Sequence, residues 1–172
     1  GKITIIGKET GYLANSEYYT MSPFSSWGVP GDLSLKPEIT APGGNIYSLF
    51  GQTPSYGGGP DQYELMSGTS MAAPAITGMA ALMAQYIRES GLAEAEGLHV
   101  RTLAQSLLMS TAVPIMEEDS GCYYSLMKQG AGLARPDLAV SADSYILVDG
   151  QPDGKVKAEL GDDPDRTGVY EF

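Results

Sequence analysis

The stretch Ser67-Gly68-Thr69-Ser70-Met71-Ala72-Ala73-Pro74 opens an apolar run on which the rest of the chain depends. From Met71 to Ala84 only Thr77 is conventionally polar. The run falls short of the roughly 18–20 apolar residues a bilayer needs, so a buried helix is expected rather than a membrane span. A helix apolar on every side is expected to be enclosed by protein and to form the centre of the fold. Ser70 then sits at its mouth. Thr69 or Ser70 is expected as the N-cap, accepting a bond from an orphan N–H of the first turn. First-turn amides and the helix dipole would set a positive potential near the Ser70 hydroxyl. An oxyanion forming there would be stabilised. Pro74 lacks an N–H, so the usual bond back to the Ser70 carbonyl is missing and the first turns are strained. A local rule broken at such a place is where function is expected.

Two roles are open to Ser70 on this pattern, a plain helix cap and a nucleophile. The octapeptide as a whole resembles the nucleophile motif of the subtilisin-like serine peptidases (subtilases), Gly-Thr-Ser-Met-Ala-x-Pro. That resemblance implies that Ser70 is catalytic. It widens upstream. Phe24-Ser25-Ser26-Trp27-Gly28, followed by Lys36-Pro37-Glu38-Ile39-Thr40-Ala41-Pro42-Gly43-Gly44, is similar to the segment preceding the serine in that family. Glu38 departs from the family's usual aspartate. The form around Met21 and Leu33-Ser34-Leu35-Lys36-Pro37 is similar to the large cell-envelope proteinases of the lactocepin and C5a peptidase type. Downstream, Gln129 to Pro136 resembles the turn entering the last helix of a subtilase domain.

Composition narrows the classes. The 172 residues suit one domain, or one domain plus part of another, and 42% hydrophobic content supports a core. A net charge of −11 argues against nucleic-acid binding, which wants a basic face. The one cysteine, Cys122, has no partner for a disulfide within the chain. One histidine and one cysteine make no zinc-type cluster, and no cofactor is expected. No signal-peptide pattern or membrane span is read, so the chain is either cytosolic or an excised piece of a longer protein.

In chain order, residues 2–7 read as a strand and Gly7 to Gly11 as a turn, with a second short strand at Tyr18 to Met21. Residues 22–48 read as loop-rich surface, with Trp27 as a core anchor. Residues 51–63 form a long Gly/Pro loop without the Gly-Lys-Ser/Thr ending of a phosphate loop. Tyr63 to Met66 reads as a short strand feeding the serine turn. Ser90-Gly91 and Glu96-Gly97 mark stops, and a helix is expected from Val100 to Ser110 with Leu103, Leu107 and Leu108 at helical spacing. Glu117-Glu118-Asp119 reads as a solvated acidic loop, since consecutive carboxylates cannot all face one ion. Tyr123 to Met127 reads as a strand and Asp137 to Ser141 as a short helix. Beyond Ala142 the pattern changes. Ser144 to Val148 and Lys155 to Leu160 read as strands, and the resemblance implies the opening of a fibronectin-type β-sandwich.

The expectation is therefore an α/β fold. Residues 1–141 are read as the serine-bearing part of a subtilisin-like catalytic domain, and 142–172 as the start of a β-sandwich domain or tail. A serine hydroxyl needs a base, and the family's aspartate and histidine precede the serine in the chain. Nothing before Ser70 is a histidine. Asp32 and Asp61 lack the family's aspartate context, and Asn15 and Asn45 lack that of its oxyanion asparagine. The fragment is accordingly expected to be inactive alone, with the remaining N-terminal half of the catalytic domain as partner and a protein or peptide as substrate. The resemblance implies a secreted or cell-surface location. An α/β-hydrolase-type esterase using Ser70 and His99 is a second reading, weakened because the acids between them, Glu89, Glu94 and Glu96, lie only in a polar patch and because no βαβ series is read. A pseudo-peptidase or binding module is a third. Self-association is expected from the all-apolar serine helix.

Overall fold

The computed structural model describes residues 19–28, 31, 34–50, 63–148, 153–157 and 165–169. The elements in order are β1 (Ile46–Leu49), β2 (Tyr63–Met66), α1 (Thr69–Ser90), α2 (Leu92–Glu96), α3 (Val100–Ser110), β3 (Met116–Glu117), β4 (Cys122–Tyr123), α4 (Leu126–Gln129) and α5 (Pro136–Val140). The strand expected at 2–7, the turn at 7–11 and most of the loop at 51–63 lie outside the described residues, as do Asn15, Asp32 and Asp61.

Helix α1 has 22 residues, which at 1.5 Å per residue makes it about 33 Å long. It stops at Gly91, whose φ of 70° lets its N–H turn back to the carbonyls of Arg88 and Ile87. Glycine meets that left-handed conformation without a Cβ penalty. Arg88 in the last turn complements the negative end of the dipole. Helix α2 ends likewise at Gly97, and α3 runs from Val100 to Ser110 as its leucine spacing predicts.

The core lies where α1, α3 and α5 meet. Met83 and Ile87 of α1 pack with Leu103, Ala104, Leu107 and Leu108 of α3 and Ala139 of α5. Each large aliphatic side chain buried there contributes about 1.5–3 kcal/mol. This corrects the picture of an enclosed serine helix. Among the described residues α1 reaches the core from Met79 onward, and only its Met83 and Ile87 are buried. Ala73, Pro74, Thr77, Gly78, Ala81 and Leu82 are exposed, Leu82 at 58%. Helices α2, α3 and α5 pack against α1 and leave its other apolar side open.

The sheet content is small. β1 and β2 pair antiparallel, Ile46 opposite Met66 and Leu49 opposite Tyr63, with the Tyr47 and Tyr63 rings stacked at 5.4 Å. β3 and β4 form a second antiparallel pair around the exposed Glu118-Asp119 turn. Thr40 bridges Leu133 in parallel and Val113 bridges it antiparallel, so three chain segments lie side by side.

Several local readings are corrected. Tyr19 to Met21 lie in no strand. The strand expected at Tyr123 to Met127 stops at Tyr123, because the Ser125 hydroxyl accepts the Met127 N–H and caps α4. Trp27 is no core anchor but 62% exposed, its ring 5.5 Å from the Lys128 ammonium in a cation–π contact. Ser144 to Val148 and Lys155 to Lys157 form no strand. They cross α3 instead. The Ser106 hydroxyl donates to the Ile146 carbonyl, the Ile146 N–H donates to Ser110 Oγ at 2.9 Å, and the Val156 N–H reaches Met109 Sδ at 3.5 Å. Thr102, Ser106 and Ser110 recur every fourth residue, so they share one helix face. Hydroxyls of α3 supply the bonds that a neighbouring strand would otherwise give.

Candidate functional site

The start of α1 is built by backbone rather than by a side-chain cap. Gly68, not Thr69 or Ser70, is the N-cap, and no side-chain cap bond is made. Its carbonyl accepts the Met71 N–H at 3.0 Å, and its own N–H donates to the Gly43 carbonyl at 2.8 Å. Thr69 and Ser70 are thereby moved into the first helical turn, and their hydroxyls are not used in capping. Ser70 is exposed. As the second helical residue its N–H is among the donors left without an intrahelical acceptor. No acidic residue stands in the first turn to cancel the positive dipole end.

The loop before β1 holds this start in place. Gly43 approaches so closely that a Cβ there would stand 2.8 Å from the Gly68 carbonyl oxygen and 3.1 Å from the Ala72 Cβ. Only glycine fits that approach. Two residues on, the Asn45 N–H donates to Ser67 Oγ at 2.8 Å, and Ser67 Oγ lies 3.4 Å from Asn45 Oδ1. Asn45 has a φ of 52°, a left-handed conformation that asparagine tolerates better than most residues. Beside the helix start lies a cavity of about 380 Å³, walled by Gly68, Thr69 and Ala72, by the 40–46 loop and by Tyr19 to Ser25.

Ser70 and His99 are not brought together. His99 is exposed and precedes the first residue of α3. Its neighbours Leu98 and Val100 pack on the cluster containing Met83 and Ile87. Those residues stand 13 and more positions along α1 from Ser70, about 20 Å at the helical rise. A proton transfer needs about 3 Å. Asn45, set aside on sequence as an oxyanion asparagine, faces Ser67 instead. Among the described residues no group of three or more His, Cys, Asp or Glu is arranged to hold a metal ion.

Two charged groups away from the serine are also ordered. Burial pushes the Glu38 carboxyl up, but the hydrogen bond and charge of Lys36, with the Lys155 charge, outweigh it and hold it below its ordinary range. Lys155 and Lys157 approach the same carboxylate at 3.8 and 3.9 Å. The Arg135 guanidinium bonds Asp137 through Nε at 2.9 Å and Nη2 at 2.6 Å. It holds that carboxyl at about 2.

The mixed helix–strand scaffold fits what comparisons with known proteins show. Residues 8–148 match the model of the Subtilase family, and the chain belongs to that family. It is similar to the C5a peptidase of Streptococcus pyogenes serotype M18 (strain MGAS8232), 36% identical over 138 residues, or 79% of this chain and 11% of that protein. It is also 36% identical over 140 residues to the PII-type proteinase of Lactococcus lactis subsp. cremoris, or 76% of this chain and 7% of that protein. The PI-type proteinase of the same organism matches to the same extent. The chain thus spans about a tenth or less of the length of these relatives.

The pairing of Asn45 with Ser67 was missed on sequence. The available signal was an asparagine after Gly43-Gly44 at the foot of a β-branched and aromatic strand, a place for a left-handed turn residue.

Proposed function

We propose that this chain carries the nucleophile of a subtilase-family serine endopeptidase, with Ser70 attacking the scissile carbonyl of a protein or peptide. The observation that carries the reading is an exposed Ser70 hydroxyl on the first turn of α1, spared from capping by the Gly68 backbone. Attack forms the Oγ–carbon bond and sends the carbonyl electrons to oxygen. The Ser70 N–H and the dipole end of α1 are placed to stabilise that charge. Collapse of the intermediate expels the amine and leaves an acyl-enzyme, which water then hydrolyses.

The base that takes the Ser70 proton, its aspartate and the oxyanion asparagine come from polypeptide other than these 172 residues. His99 precedes α3, and its neighbours Leu98 and Val100 pack on the core cluster rather than at the start of α1, which weighs against an esterase built on Ser70 and His99. The open apolar side of α1, with Leu82 at 58% exposure, is where the rest of the catalytic domain packs. The 172 residues alone are inactive. The names of the relatives support a peptidase, and the resemblance to cell-envelope proteinases supports a secreted or cell-surface location.

The test is peptide hydrolysis by the full-length protein. Ser70→Ala should lower kcat by about 10³-fold or more, as losing a nucleophile does in serine peptidases. Hydrolysis unchanged by Ser70→Ala sinks the reading. A full-length protein that folds and binds peptide without cleaving it makes this a non-catalytic binding module.

A further inference from the structure

We propose that Asn45 and Ser67 are positioning residues for Ser70: a clasp between the loop before β1 and the turn before α1 that sets the rotational and axial place of the helix start. The inference rests on the nucleophile reading above and deepens it. Three observations converge. Helix α1 has no side-chain cap of its own, so the placement of its first turn is delegated to neighbours. Gly43 supplies one fixed point, its carbonyl accepting the Gly68 N–H at 2.8 Å. Asn45 supplies the second, its N–H on Ser67 Oγ at 2.8 Å with Oδ1 at 3.4 Å from the same oxygen. Two bonds to adjacent residues, Ser67 and Gly68, resist a twist that either alone would permit.

The clasp is close enough to matter. Ser67 precedes Ser70 by three residues, and the intervening Gly68 is extended and carries no side chain to brace it. Releasing Ser67 frees the turn to rock about the Gly68–Gly43 bond. Movement of a nucleophile by about 1 Å can cost on the order of 100-fold in rate. Asn45 suits the task because its left-handed φ of 52° aims the N–H at Ser67. A β-branched residue in that conformation would be strained.

The experiment uses the full-length protein with Ser67→Ala, Ser67→Thr and Asn45→Gly, rates being referred to active sites titrated with a fluorophosphonate. Ser67→Ala should lower kcat about 10- to 100-fold with KM little changed, as expected for misplacement of the attacking atom. Ser67→Thr keeps the oxygen and should restore most of the rate. Asn45→Gly keeps both the N–H and the φ, and should fall between. A purely structural role would shift the melting temperature and leave the rate per titrated site intact, and that result overturns the inference. Hydrogen exchange across 66–72 gives a readout independent of activity. Faster exchange in Ser67→Ala supports the clasp, and unchanged exchange overturns it. Loss of hydrolysis in Ser70→Ala alongside an unaffected Ser67→Ala removes the clasp and leaves the peptidase reading standing.

Discussion

Ser70 is spared by glycine, and Gln129 shows the same economy in the core. Gln129 is 1% exposed. Its Oε1 accepts the Ile115 N–H at 2.6 Å, and its Nε2 donates to the carbonyls of Ile115 at 3.3 Å and Tyr124 at 2.6 Å. Its own carbonyl accepts the Thr40 hydroxyl at 2.9 Å. Gln129→Leu removes the side-chain partner of the Ile115 N–H and of the Tyr124 carbonyl and should cost about 2–3 kcal/mol in urea unfolding. Asp137 gives a titration prediction. Its bond to Arg135 lowers the carboxyl to about 2, so the stability it lends is present above the unfolded value and disappears as pH falls through the folded one. NMR titration should find that carboxyl ionised down to about 2, and Arg135→Gln should return it toward the ordinary range. At this scale sequence told unequally. The family was legible because eight consecutive residues around Ser70 carry its motif. Gln129 looked like the first residue of a glycine turn, since nothing local records that Ile115 and Tyr124 fold back onto it. Trp27 was misplaced because a lone tryptophan reads as apolar, whereas Lys128 offers its ring a partner at the surface.

Among elements, the helices were the legible part. α3 follows from leucines at helical spacing, and α1 from the run Met71 to Ala84, polar only at Thr77, with the stop at Ser90-Gly91. The cap of α1 was not legible, because Gly68 works through a carbonyl and N–H that every residue possesses. The segment after Ala142 was misread as strands for a related reason. Its β-branched residues carry strand propensity, but tertiary context overrides it: the hydroxyl face of α3 and the lysines around Glu38 hold it as a strap. Lys157 Nζ also reaches the Leu35 carbonyl at 3.0 Å. Glu38 is therefore the pH-sensitive end of the strap. Its folded pKa is lowered below the usual 4.5, so its contribution is full above that value and fades as pH drops through the folded one. Hydrogen exchange at 153–157 should quicken on acidification in that window, and Glu38→Gln should quicken it at neutral pH and flatten the dependence. Ser106→Ala should loosen 144–148 by losing the bond to Ile146.

For the whole molecule, one helix lies half in a core and half in solvent. The described core gathers around Met83 and Ile87, while another side of α1 shows Ala73, Pro74, Ala81 and Leu82 to water. Burying such a stripe contributes about 25 cal/mol per Å², so the isolated 172-residue chain should self-associate through it. Light scattering should report oligomers that Leu82→Glu disperses, and a monodisperse monomer would contradict this.

The most direct measurement is therefore chemical. The full-length protein is treated with a fluorophosphonate, digested and read by peptide mass spectrometry. The account predicts the adduct on Ser70, lost in Ser70→Ala and kept in His99→Ala. An unmodified Ser70, or a label that survives Ser70→Ala, would contradict it.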